Sequence, residues 1–127
     1  MTALLLDTHV WAWSLTGDSR LTASAISQIE QATIVYISPI SFFEIGQKVR
    51  LGKWDAMKHF MPRLADLLQE QGGSAATLTP EICAGAAMLD WDHRDPFDRL
   101  IAASALQLGV PLVSADAAFD GVVRRVW

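Results

Sequence analysis

The chain predicts an α/β fold: a parallel β-sheet of four to five strands flanked by helices. Three observations carry that prediction. Short leucine-rich or β-branched runs alternate with segments of helical periodicity. Several helical segments open on a Ser, Thr or Asp followed by proline, or close on glycine. Apolar residues make up 51% and charged residues 19%, enough to fill a core on both faces of a sheet. At 127 residues a single domain, 1–127, is expected.

In order, "ALLLD" (3–7) reads as a buried strand ending at Asp7, and 9–15 as a short helix before the turn "TGDS". Residues 21–32 form a helix with Thr22 as cap and Ile26 and Ile29 inward. "TIVYIS" (33–38) is the second strand, and Pro39 opens a helix over 39–52. The clearest amphipathic pattern covers 55–71, where Met57, Phe60, Met61, Leu64, Leu67 and Leu68 share one face. Gly72-Gly73 ends it, 75–78 is a third strand, and Thr79-Pro80 starts a helix over 79–89. A helix over 96–108 closes on Gly109, 110–114 is a fourth strand, and 121–127 suits a fifth at the edge. In such sheets ligands bind beyond the carboxyl ends of the strands, where the strand order reverses.

The lone cysteine, Cys83, excludes an internal disulfide and makes a reducing cytoplasm the expected compartment. The first residues carry no basic stretch, so no signal peptide is expected, and no window approaches the ~18 apolar residues of a membrane span. Net charge is −4, from ten basic and fourteen acidic residues, which taken alone argues against a binder of phosphate backbones.

The exception to this quiet composition is "DWDHRDPFDRLIAASAL" (90–106), where Asp90, Asp92, Asp95 and Asp98 run into an apolar helix. Capping explains Asp95, with Pro96 behind it at the first helical position. Asp98 is harder to dismiss: one turn on lie Ile101, Ala102 and Ala105, and a carboxylate on that face needs a partner or a cation. Asp7 ends the most apolar strand, Glu44 sits inside "SFFEIG", and Asp116 follows "LVSA". Each has an ordinary reading: a cap, a pair with Lys48, a turn. Together all four fall at one edge of the inferred sheet. Two like charges ~4 Å apart repel by roughly 4 kcal/mol at an effective dielectric of about 20, so the cluster calls for cations or raised pKa values. With no His or Cys expected nearby, all-oxygen ligation points to Mg²⁺ or Mn²⁺. Setting the quartet aside leaves ten acidic against ten basic residues, which permits phosphate binding. Lys48, Arg50, Lys53, Arg99, Arg124 and Arg125 are candidate helpers, although for any one of them a solvated basic face is the better reading than a dedicated groove. Trp11 and Trp13, two apart on one helix, cannot share a face, so one of them is expected at the surface in a groove for a partner chain.

"LLLDTHVWAW", "ISPISFFEIGQKVRLGKW", "HRDPFDRLIAASAL" and "LVSADAAF" resemble, in order and spacing, the PIN-domain ribonucleases, and among them the VapC-type toxins of bacterial toxin–antitoxin pairs. The resemblance covers essentially the whole chain and implies a PIN-like fold. It places the family's acidic quartet on Asp7, Glu44, Asp98 and Asp116, with Thr8, Asp95 and Ser114 as supporting residues and Arg99 as an RNA or antitoxin contact. It also implies Mg²⁺- or Mn²⁺-dependent cleavage of RNA by a metal-activated water, a homodimer, and inhibition by a cognate antitoxin. His9 and His93 read as surface or capping residues rather than as general bases.

Two rivals stand beside this. A phosphotransfer enzyme of the haloacid-dehalogenase type needs a second Asp two residues after the first, where this chain has His9. A catalytically inactive PIN-like module that only binds RNA or protein is distinguished by metal binding.

Overall fold

A computed structural model describes residues 2–127. Its sheet has five strands: β1 (Ala3–Leu6), β2 (Ile34–Ile37), β3 (Ser74–Ala75), β4 (Leu112–Val113) and β5 (Arg125–Val126), in the order β3-β2-β1-β4-β5. Every pairing is parallel, with Leu6 opposite Ile37 on one side and Val113 on the other. Six helices flank it: α1 (Thr8–Thr16), α2 (Ala23–Gln31), α3 (Pro39–Arg50), α4 (Leu64–Glu70), α5 (Pro80–Met88) and α6 (Pro96–Leu108).

Strand alternation divides the core. Leu4 and Leu6 of β1 and Val113 of β4 pack with Trp11, Ile37, Ile45 and Leu64 on one face. Leu5 and Leu112, one residue out of phase, pack with Ile101, Ala102, Ala105 and Phe119 on the other. A parallel sheet covered on both faces needs this near-continuous apolar run rather than polar alternation. Alpha-helix α5 is tied in through Ile82 and Ala86 against Ala103 of α6.

The expected caps form. The Thr22 and Thr79 hydroxyls accept from Ala25 N and Ile82 N, and Asp95 accepts from Phe97 N. Gly109, at φ 66°, ends α6 in the left-handed conformation that a Cβ disfavours.

Three expectations fail. The helix over 55–71 is instead two 3₁₀ turns, Asp55–Met57 and Met61–Arg63, before α4. Pro62 is the cause: it has no N–H to continue the ladder, and it disfavours α-helical geometry in the residue before it. The apolar residues still reach the core, with Met57, Leu64 and Leu68 buried. In α2 the inward residue is Ala25, while Ile26 is 39% exposed, because the buried face follows Ala25, Ile29 and Ala32. Neither α1 tryptophan is a surface residue. Trp11 packs on Phe42 and donates Nε1–H to Gln71, and Trp13 meets Trp127, so opposite faces of α1 are both covered. Among the described residues no helix is long and apolar enough to cross a membrane.

Candidate functional site

The strand order fixes where a site can form. From β1 the chain runs outward through β2 to β3, then returns to the other side of β1 for β4 and β5. The reversal lies between β1 and β4, and their carboxyl ends carry Asp7 and the Ser114–Asp116 turn. A cleft of about 400 Å³ opens there, lined by Asp7, Glu44, Lys48, His93, Asp98 and Asp116 among others. Glu44 enters from α3, which follows β2, and Asp98 from the first turn of α6.

Asp7 is both a cap and a cleft residue. Its Oδ1 accepts from Thr8 N at 2.8 Å, and its Oδ2 accepts from Ser114 Oγ at 2.8 Å, a bond across the switch point. Burial raises its pKa above 3.8, and those two hydrogen bonds and His9 only partly offset this. Ser114 also accepts from Asp116 N at 3.0 Å. Thr8 is buried and shares a 2.7 Å hydrogen bond with Ser41, tying α1 to α3 without lining the cleft.

Glu44 is 3% exposed. Its Oε2 meets Lys48 Nζ at 2.6 Å, the i,i+4 pair foreseen, but its Oε1 is buried with no partner. A buried carboxylate oxygen left unpaired costs on the order of 1–3 kcal/mol or more, so the site is built for a donor that the chain does not supply.

Asp98 does not reach back to the backbone as a capping box would. Its Oδ2 lies 2.6 Å from His93 Nε2, and burial raises its pKa to about 6 despite that contact. His93, Asp98 and Asp116 each offer a ligand atom within 4.8 Å of one another, while Asp7 and Glu44 line the same cleft outside that set. Asp116 is exposed and caps the short turn Ala117–Phe119 by accepting from Ala118 N. Asp95 lines the rim; Asp90 and Asp92 are exposed and stay outside the cleft. The expectation of an environment free of histidine is overturned, because His93 and His9 both face the site. The donor set is therefore carboxylates with one imidazole, which still suits Mg²⁺ or Mn²⁺ but is no longer oxygen alone.

Arg99 turns inward. Its Nε donates to Ala86 O, Nη2 to Ala87 O and Leu89 O, and Nη1 to Trp91 O and His93 O, at 2.6–3.2 Å. Those five bonds use all five guanidinium N–H groups, leaving none for an outside ligand. Arg125 is likewise held, bidentate to Asp120 and bonded to Ser114 O.

The raised pKa of Asp98 fixes a pH dependence. Without a cation the folded state holds this proton to about pH 6 and the unfolded chain only to about 3.8, so stability falls as pH rises through that window. The penalty above it is on the order of 3 kcal/mol. A cation held by Asp98 would compete with the same proton. Calorimetric Mn²⁺ titrations at pH 7.5, 6.5 and 5.5 should show affinity falling at the lowest pH; a constant affinity would remove Asp98 from the metal site.

Comparison with known proteins follows the same lines. Residues 4–124 match the PIN domain. Over 120 residues the chain is 32% identical to ribonuclease VapC22 of Mycobacterium tuberculosis (strain ATCC 25618 / H37Rv), covering 91% of this chain and 88% of the relative. Among solved structures it resembles a toxin–antitoxin complex from Klebsiella pneumoniae, with TM-score 0.66, 16% identity and coverage of 98% and 96%. FitAcB from Neisseria gonorrhoeae gives 0.65, 21%, 98% and 96%. VapBC2 from Rickettsia felis, bound to a promoter DNA fragment, gives 0.63, 14%, 98% and 98%. At those identities the structural likeness speaks for the fold. The parallel sheet with its acidic cleft at the switch point, the match along 4–124 and the VapC relative place this chain in the PIN-domain family, as a protein of the VapC type.

Proposed function

We propose that this chain, acting as one PIN-like domain, is a metal-dependent endoribonuclease toxin that cuts RNA phosphodiester bonds and is neutralised by a cognate antitoxin. The observation that carries the reading is Glu44 Oε1, a buried carboxylate oxygen without a partner in a cleft shared with Asp7, Asp98 and Asp116. Those four carboxylates would hold Mg²⁺ or Mn²⁺, with His93 at their edge. A bound divalent ion supplies Lewis acidity, polarising the scissile phosphate and making a water acidic enough to attack it.

The chain's own residues prepare this. Ser114 and Thr8 N fix the Asp7 carboxylate in one orientation. Asp95 secures the first turn of α6 and so the position of Asp98. Lys48 holds half of the Glu44 charge and leaves the other oxygen free. No side-chain nucleophile is required.

The antitoxin is supported by the structural likeness to the toxin–antitoxin complex from Klebsiella pneumoniae, together with the VapC relative. A homodimer and a cytoplasmic location belong to the same reading. Phe43, 59% exposed on α3, and Leu51, 50% exposed just past it, offer apolar surface for a partner. The test is cleavage of an end-labelled RNA pool by purified, antitoxin-free protein in EDTA and in Mg²⁺ or Mn²⁺. Cutting that appears only with the ion supports the nuclease. Neither cutting nor Mn²⁺ binding would leave the inactive binding module.

A further inference from the structure

His9 acts on the carboxylates only through its charge near Asp7, and it lines their cleft. Its chain neighbours Thr8 and Val10 are buried, whereas the His9 ring is exposed. It stacks on Trp54 with ring centroids 4.8 Å apart and planes at 28°, and Trp13 meets it obliquely at 6.1 Å. Trp54 is half-buried and packed against the core, so it backs one face of the imidazole. Lys48 Nζ lies 5.4 Å from the Trp54 centroid while also reaching Glu44. The cleft thus carries an exposed flat ring with an aromatic backing, and a cation that lies between that backing and Glu44.

Packing alone does not account for this. A ring kept only for core area would be buried, and imidazole is a poor choice for the purpose. Stacking of a nucleobase needs an accessible π-face held at a fixed angle, with positive charge near the attached phosphate. With a divalent cation offsetting the carboxylates, the phosphate of a nucleotide stacked here would lie within that cation's reach.

We propose that His9, backed by Trp54 and flanked by Lys48, is a base-stacking subsite that seats one unpaired RNA nucleotide beside the phosphate to be cut. This rests on the nuclease reading and adds to it a recognition element. Because every base has a π-face, the subsite selects for an unpaired nucleotide and contributes little base identity. Its place at the cleft rim makes it a binding rather than a reacting group, so its loss acts on KM.

The test compares wild type, His9→Ala and His9→Phe on single-stranded RNA decamers that carry 2-aminopurine at successive positions. Cleavage is followed in Mn²⁺, and stacking as quenching of 2-aminopurine fluorescence in Ca²⁺. His9→Ala should raise KM by about tenfold or more with little change in kcat, and abolish quenching at one position. His9→Phe should keep both near wild type. Equal Mn²⁺ affinity in the three proteins excludes an effect through Asp7. Unchanged KM and quenching in His9→Ala would overturn the subsite and return the ring pair to packing or protein contact. So would a His9→Phe protein as impaired as His9→Ala, which would assign the effect to imidazole chemistry. If wild type neither cuts nor binds Mn²⁺, the nuclease reading falls, and the quenching comparison still decides the subsite.

Discussion

Asp98→Asn should lower metal-dependent RNA cleavage by about a thousandfold, equivalent to about 4 kcal/mol of barrier, while making the metal-free protein more stable. The two effects share one cause. Asp98 is a carboxylate whose charge burial disfavours, so that it keeps its proton to about pH 6. At pH 7.5 it is ionised against that penalty, and asparagine of the same shape removes the penalty and the anionic ligand together. Loss of the favourable contact between Asp98 and the positive end of α6 subtracts about 0.3–1 kcal/mol. A net gain remains, visible as a rise of several degrees in Tm in EDTA. Mn²⁺ should then raise the Tm of wild type and leave that of the variant nearly still. A helix-capping role predicts the reverse on every count: a slightly lowered Tm, intact cleavage and an unchanged response to Mn²⁺. Thermal melts with and without the ion, run beside the cleavage assay, separate the two.

The parts of this protein that local chemistry dictates were legible in its sequence. Alpha-helix α6 begins at Pro96 and ends at Leu108 as its cap, proline and glycine foretold, and Asp7 ends β1 where a run of leucines stops. The pairing of Lys48 with Glu44 follows from four-residue spacing on one helix. What stayed hidden depends on contacts between distant segments. Pro62 broke a pattern whose apolar spacing was otherwise sound, since periodicity reports which residues are buried and not whether the backbone between them is continuous. Both α1 tryptophans are covered because Phe42 and Trp127 close on opposite faces, which no window around residues 11–13 contains. His93 was read as a surface or capping residue because a loop has no period to follow. Only its five-residue distance from Asp98, just ahead of a helix start, hinted that the two could meet.

Arg99→Ala should cost on the order of 3 kcal/mol of stability or more and weaken Mn²⁺ binding, even though Arg99 does not itself line the cleft. The α5 carbonyls of Ala86 and Ala87 and the following ones of Leu89, Trp91 and His93 all converge on its guanidinium. Removing that group leaves partly buried acceptors unpaired at a helix C-terminus, where the dipole also favours a cation. It also frees the segment that presents His93 to Asp98. Arg99→Lys should recover little, because an ammonium has three donors radiating from one point, whereas the five carbonyls are spread around a planar fork. Urea unfolding would show both variants with lowered midpoints, and Mn²⁺ titration at low temperature, where both remain folded, would show weakened binding. If Arg99 instead serves RNA or an antitoxin at the surface, Arg99→Ala keeps wild-type stability and metal affinity and loses only its partner, and Arg99→Lys restores most of that binding. A lysine that fails on stability while the fold persists fixes Arg99 as the residue that sets the loop beside Asp98.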